Sequence, residues 1–203
     1  PSDGRMRPVR QFAVVKLQPL RRQRSCDLLP GMVEQLKQRI RTIPGFPKPG
    51  VLFRDITPLL ADPAALALAI ELMSNRYRGK NVDVVVGAES RGFIFGTAIA
   101  CAISAGFVPV RKPGKLPCTT IDCKYSLEYG QDSLQMHSDA IVKGQKVVLV
   151  DDLLATGGTL HACADMVNRL GGEIIGISVL IELTDLHGRD SLRPYPVHSV
   201  IQY

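Results

Sequence analysis

The apolar positions of the chain fall into two kinds of run. Residues 82–87, 107–110, 146–150 and 174–183 are short, continuous and rich in Val and Ile, and Gly, Pro or charged residues bound them. Such runs predict strands buried on both faces. Between them, residues 92–105 and 159–170 have helical length, and Gly171-Gly172 closes the second. Strands alternating with helices predict an α/β fold, a mostly parallel twisted sheet flanked by helices. Upstream, Val33, Leu36, Ile40 and Ile43 recur at helical spacing from Met32, and Pro44 and Pro47 end that predicted helix. Residues 47–55 read as a turn leading into a short extended segment. Asp62 before Pro63 is a helix N-cap with proline at the first helical position, and Leu66, Ile70, Met73 and Tyr77 carry the apolar stripe onward. Residues 112–140 break this rhythm. They are polar, open on Lys112-Pro113-Gly114-Lys115, and predict a long loop or a small antiparallel excursion.

Composition narrows the class. The chain has 203 residues, 45% hydrophobic and 22% charged, the balance of an ordinary globular protein able to bury a core without staples. No run approaches the roughly 20 apolar residues that cross a bilayer, so no membrane partner is expected. Cys26, Cys101, Cys118, Cys123 and Cys163 are odd in number and contain no CxxC pair. That argues against a disulfide framework or a zinc knuckle and for a reducing compartment.

The net charge of +6 is unevenly placed. Residues 1–31 carry seven basic side chains against two acidic ones, whereas the rest of the chain carries eighteen against seventeen. The body therefore has no bias toward a polyanion, and no nucleic-acid partner is expected. Residues 1–31 read as a basic, disordered extension with three open interpretations: a tail, an organelle presequence, or sequence upstream of a start at Met32. A domain is expected over 32–203.

The stretch 147–159, VVLVDDLLATGGT, carries the chemistry. A buried strand delivers Asp151 and Asp152 at its carboxyl end, where open α/β sheets bind ligands. Ala155, Thr156, Gly157, Gly158 and Thr159 follow, leading into a helix. Glycines let successive backbone N–H groups face one point, and the helix N-terminus adds partial positive charge, which suits a monophosphate. Ribose hydroxyls are natural partners for the carboxylates. The Gly-Lys-Ser/Thr ending of a Walker loop and the GxGxxG fingerprint are both absent from this loop.

These thirteen residues resemble the phosphoribosyl-diphosphate signature of the type I phosphoribosyltransferases, and the double Leu before ATGGT resembles the adenine-specific branch. Further matches are 46–50 (FPKPG), 53–57 (FRDIT), 89–93 (ESRGF), 111–117 (RKPGKLP) and 125–130 (YSLEYG), so the resemblance covers nearly all of 32–203. It implies a small N-terminal hood at about 32–57, a flexible lid at about 112–135, and a cytoplasmic homodimer in purine salvage. The implied reaction transfers the 5-phosphoribosyl group of 5-phosphoribosyl 1-diphosphate to adenine, giving AMP and diphosphate. It also implies Mg²⁺ bound through the substrate's diphosphate and ribose, without dedicated protein ligands.

By resemblance, Asp151 and Asp152 hold the ribose and residues 155–159 the 5-phosphate. Glu89, Ser90, Arg91, Arg111, Lys112 and Lys115 face the diphosphate, with Glu89–Ser90 a position that is often a cis peptide. Arg is suited to a phosphate fork and Lys to a point charge. Glu128 is the lid carboxylate facing N7 of the base and Tyr129 the lid aromatic, whereas periodicity alone reads both as a hairpin edge. Phe53 stacks on adenine with Leu153 opposite, and the backbone of Leu52 and Arg54 reads the purine edge. On the residues alone Phe53 reads as core. Cys118 stands where the family usually has Gly. None of His137, His161, His187 and His198 falls on a family motif, so no histidine catalysis is expected. Two other functions stay open: transfer to another purine base, and a regulator that senses phosphoribosyl diphosphate.

Overall fold

The computed structural model describes residues 29–127 and 130–203. Most of the basic extension, with Glu128 and Tyr129, therefore lies outside the described residues.

Helix α1 (Leu29–Lys37) starts three residues before Met32 and is followed by strand β1 (Arg41–Pro44). The predicted helix to Ile43 is thus corrected. β1 pairs antiparallel with β2 (Leu52–Asp55), Ile43 facing Phe53 and Pro44 facing Leu52, in a two-stranded sheet of its own. The apolar spacing that looked like one helix is shared by two elements: Leu36 and Ile40 are buried, while Ile43 sits exposed on the hairpin. Pro44, which cannot donate to a helical ladder, is tolerated at the end of a short strand outside the main sheet.

Helix α2 (Thr57–Ala61) was not anticipated, and α3 (Pro63–Ser74) begins as the sequence predicted. The Asp62 carboxylate accepts from the Ala64 and Ala65 amides at 3.0 and 3.1 Å. Next come β3 (Val84–Ala88), α4 (Arg91–Ile103) and β4 (Gly106–Val110). The polar segment resolves into an antiparallel hairpin, β5 (Thr120–Leu127) and β6 (Gly130–His137). The chain then returns to the sheet through β7 (Lys146–Leu154), α5 (Gly158–Arg169), β8 (Glu173–Glu182) and β9 (Val197–Gln202).

The central sheet is wholly parallel, in the order β4-β3-β7-β8-β9. Side chains alternate across it, so each strand feeds two cores. Val84, Val86, Val147 and Leu149 pack under α5 with Met166 and Val167, joined by Leu134 and Met136 of the hairpin. Val85, Val148 and Val150 face the opposite core with Phe95, Ile99 and Met73. α4 lies close on the sheet because Gly96 has no side chain; a Cβ there would stand 2.6 Å from Phe107 Cε2. The edge strand β9 escaped the sequence reading because His198, Ser199 and Gln202 interrupt its apolar run and only Ile201 is fully buried.

Candidate active site

From β3 the chain leaves for β4 on one side, and β7 occupies the other. β3 and β7 therefore flank the point where the strand order reverses, and their carboxyl ends open a crevice there. A cavity of about 390 Å³ occupies it, lined by residues 89–91 from the β3 end and 151–160 from the β7 end. Glu89–Ser90 is a cis peptide, as the sequence match implied.

Asp152 is buried, and its Oδ2 lies 3.0 Å from Arg91 Nε, which enters from the first residue of α4. Asp151 accepts the Asp152 amide through Oδ1 at 2.9 Å. Burial, and then the charge of Asp152, push the Asp151 carboxyl well above the usual carboxylate range. Burial raises Asp152 as well, and Arg91 opposes the rise. Two carboxyls with environments this unlike ordinary surface acids, in a crevice with an arginine, mark a candidate functional site.

The loop between β7 and α5 turns on Gly157, which takes the left-handed region at φ 87° and caps the helix. The turn at 188–192 backs this loop: a Cβ on Gly157 would stand 2.6 Å from the Gly188 carbonyl oxygen. Thr156, Gly157, Gly158 and Thr159, at the start of α5, line the same cavity as Asp151 and Asp152. That arrangement has the chemistry to hold an anion beside a polyol.

The remaining cations divide. Arg111, at the end of β4, donates from Nε to Glu89 Oε2 at 2.8 Å and from Nη1 to the Lys115 carbonyl at 3.2 Å, which places it beside the cavity mouth. Its backbone bridges to Gln135, tying the sheet to the hairpin. Lys112 instead pairs with Asp132 Oδ2 at 3.3 Å, and Lys115 is exposed; neither side chain lines the cavity.

Phe53 is half-buried on the β1–β2 hairpin rather than in either core, edge-on to Phe46 at 5.1 Å, with the Arg91 guanidinium 5.5 Å from its ring. This corrects the core reading. Leu153 lines the cavity, and Leu52 is exposed. The Arg54 side chain turns away to stack on Tyr203, 3.8 Å from the ring centre. None of the four histidines lines the cavity, and a His198 ring nitrogen lies 3.0 Å from the Leu72 carbonyl oxygen.

Three contributors had escaped the sequence reading. Tyr125 lies within hydrogen-bonding reach of Thr159 and of Asp132, so the hairpin touches the loop. Gly92 lets α4 pass close to the carboxylates, since a Cβ there would stand 3.0 Å from Asp151 Oδ1. The 188–192 turn is a wall of the loop, and only the small residues Gly188 and Ser191 hinted at it. All three act through contacts between segments distant in sequence, which no local motif carries.

The family model for the phosphoribosyl transferase domain matches residues 55–200. The adenine phosphoribosyltransferase of Clostridium novyi (strain NT) is 56% identical over 168 residues, 83% of this chain and 98% of that protein. The solved adenine phosphoribosyltransferase of Thermoanaerobacter pseudethanolicus superposes with a TM-score of 0.82 at 50% identity, covering 84% of this chain and 99% of that one. The Saccharomyces cerevisiae enzyme, solved with an imino-altritol bisphosphate and adenine, superposes with a TM-score of 0.80 at 35% identity, covering 84% and 99%.

Proposed function

The chain belongs to the phosphoribosyl transferase family, among the adenine phosphoribosyltransferases, and we propose that the crevice between β3 and β7 is where it works. It transfers the 5-phosphoribosyl group of 5-phosphoribosyl 1-diphosphate to adenine, giving AMP and diphosphate, a purine-salvage reaction. The observation that carries the placement is the meeting of Asp151, Asp152, Arg91 and the 155–159 loop around one cavity.

The reaction breaks the bond between the anomeric carbon and the diphosphate oxygen and forms one from that carbon to adenine N9. The ribose becomes cationic as the leaving group gathers negative charge, so the site must stabilise both signs. Asp151 and Asp152 hold the ribose hydroxyls and set negative potential beside the ring. The 155–159 loop holds the 5-phosphate and fixes the sugar's distance from the base. Arg91 and Arg111, with Glu89 and Ser90 around them, face the departing diphosphate. Lys112 and Lys115 reach it from the hairpin side, Lys112 by leaving Asp132. Phe53 and Leu153 flank adenine, and the backbone of Leu52 and Arg54 reads its edge. Glu128 manages the proton exchanged at the base, and Tyr129 closes over the site to exclude water.

Mg²⁺ fits this donor set as a cation held chiefly by substrate oxygens. Asp151 and Asp152, which line the cavity, offer hard oxygen donors beside the proposed ribose position. When bound, it would neutralise charge on the diphosphate. The enzyme works as a homodimer in the cytoplasm; among the described residues no helix is long and apolar enough to cross a membrane.

A base-competition assay tests this reading. Purified protein with Mg²⁺ and phosphoribosyl diphosphate should release diphosphate with adenine and not with hypoxanthine, guanine or xanthine. Equal release with another base would discard the adenine pocket, and binding without release would favour a sensor.

A further inference from the structure

Glu182, the last residue of β8, is almost fully buried and belongs to no part of the site described above. Arg189 meets it with a two-pronged contact, Nε to Oε1 and Nη2 to Oε2, the second at 2.6 Å. Ser199 donates to Glu182 Oε2 at 2.5 Å and Gln202 Nε2 donates to the same oxygen at 3.1 Å, both from β9. The remaining Arg189 nitrogen, Nη1, donates to the Val197 carbonyl at 2.8 Å. Glu182 is buried and the Arg189 side chain is 41% exposed, and a bidentate pair with its carboxylate buried holds its geometry better than one exposed at both ends.

What this pair holds is the 188–192 turn, and that turn touches the 155–157 loop at several points. Gly188, next to Arg189 in the chain, packs so closely that any Cβ would collide with the Ala155 carbonyl oxygen. A Cβ on Gly157 would in turn stand 2.6 Å from the Gly188 carbonyl oxygen. Ser191 Oγ lies 2.8 Å from that carbonyl oxygen and 3.2 Å from the Thr156 carbonyl oxygen. Leu192 anchors the end of the turn in the core. These contacts at the rear of the loop thus come from a segment that Arg189 tethers to the buried Glu182.

We propose that Glu182 and Arg189 are positioning residues for the substrate's 5-phosphate: they fix the 188–192 turn, and the turn fixes the shape of the loop that receives the phosphate. The proposal rests on reading 155–159 as the 5-phosphate site. The pair touches no substrate atom, so its loss should weaken phosphate binding and leave the adenine pocket, on the opposite side of the ribose, unaffected.

The test measures kcat, KM for each substrate, and the calorimetric Kd of ribose 5-phosphate in the full chain. Arg189→Lys keeps the charge but loses the fork, Arg189→Ala loses both, and Ser191→Ala removes the turn-to-loop bridge without disturbing the Glu182–Arg189 pair. Arg189→Lys and Ser191→Ala should each raise the ribose 5-phosphate Kd and the KM for phosphoribosyl diphosphate by about 3- to 10-fold, the worth of one hydrogen bond. The adenine KM should stay within about 2-fold of wild type on the same scale, and Arg189→Ala should be worse than Arg189→Lys. Thr159→Val reports on the phosphate loop directly. If it weakens ribose 5-phosphate while Ser191→Ala and a folded Arg189→Lys do not, the positioning role is wrong. If Thr159→Val binds like wild type, the phosphate assignment falls, and the positioning role falls with it. Should Arg189→Lys fail to fold, Ser191→Ala alone decides.

Discussion

Arg91 Nε lies 3.0 Å from Asp152 Oδ2, and this one contact joins the α4 N-terminus, fed by β3, to the carboxyl end of β7. It places side by side across the crevice the cation proposed to face diphosphate and the carboxylate proposed to hold the ribose. The pairing also keeps a buried carboxylate from standing alone. Arg91→Ala should therefore lower stability by about 1–3 kcal/mol, the cost of stranding a buried polar group, on top of its effect on catalysis. In a double-mutant cycle followed by denaturant unfolding, Arg91→Ala should cost much less in an Asp152→Asn background. Equal costs in both backgrounds would mean that the two residues are not coupled.

Asp151 gives a pH prediction of definite sign. Its folded pKa lies well above its ordinary value of 3.8, so between 3.8 and the raised value the native state holds a proton that the unfolded chain has released. Stability falls as pH rises through that window. Asp151→Asn keeps the shape without the charge, so it should be more stable than wild type at pH 7, with the advantage fading as pH approaches about 4, near the ordinary carboxylate value. Denaturant midpoints measured across that range would show it. A variant equally stable at every pH would contradict the assigned shift.

The β1–β2 hairpin is held partly by Tyr203. Arg54, adjacent to Phe53 on β2, stacks on Tyr203 at 3.8 Å, and Lys37 Nζ lies 5.4 Å from the same ring. Cation–π contacts of this kind contribute about 0.5–2 kcal/mol, so Tyr203→Ala should raise the adenine KM by about 2- to 30-fold and leave the KM for phosphoribosyl diphosphate unchanged. Tyr203→Phe, which keeps the ring face, should restore it. Steady-state kinetics with each substrate varied in turn separates these outcomes.

Cys118 adopts φ 63°, in the left-handed region, at the position where the sequence match pointed to glycine. A side chain there costs about 1–2 kcal/mol, and glycine's extra freedom in the unfolded chain returns about 0.5–1 kcal/mol of that difference. Cys118→Gly should therefore raise the melting temperature modestly. A lower melting temperature would show that the Cys118 side chain makes contacts worth more than the strain.

Four of the five central strands, their parallel sense and the β7–α5 turn were legible because Val-rich runs, Gly157 and the paired Asp residues are local signals. The β1–β2 hairpin was not, since Leu36, Ile40 and Ile43 mimic one helical face while belonging to a helix, a bend and a strand. Phe53 misled in the other direction: aromatics usually enter cores, and only the hairpin's position beside Arg91 shows why this one does not. Arg91 lines the crevice and Arg111 bonds to Glu89 beside it, but the residue match could not show that Lys112 pairs with Asp132, because that contact depends on how the hairpin folds back. The Glu182–Arg189 tether left no trace at all, since its partners come from β8, the 188–192 turn and β9.

The most direct measurement is single-turnover formation of AMP from adenine, phosphoribosyl diphosphate and Mg²⁺ by wild type and by Asp151→Asn/Asp152→Asn, with folding of both checked by thermal melting. The account predicts a loss on the order of 10²-fold or more in the rate of the chemical step, the scale of removing a charge-stabilising group from a preorganised site. A folded double variant that forms AMP at the wild-type rate would remove the carboxylate pair, and with it the β3–β7 crevice, from the reaction.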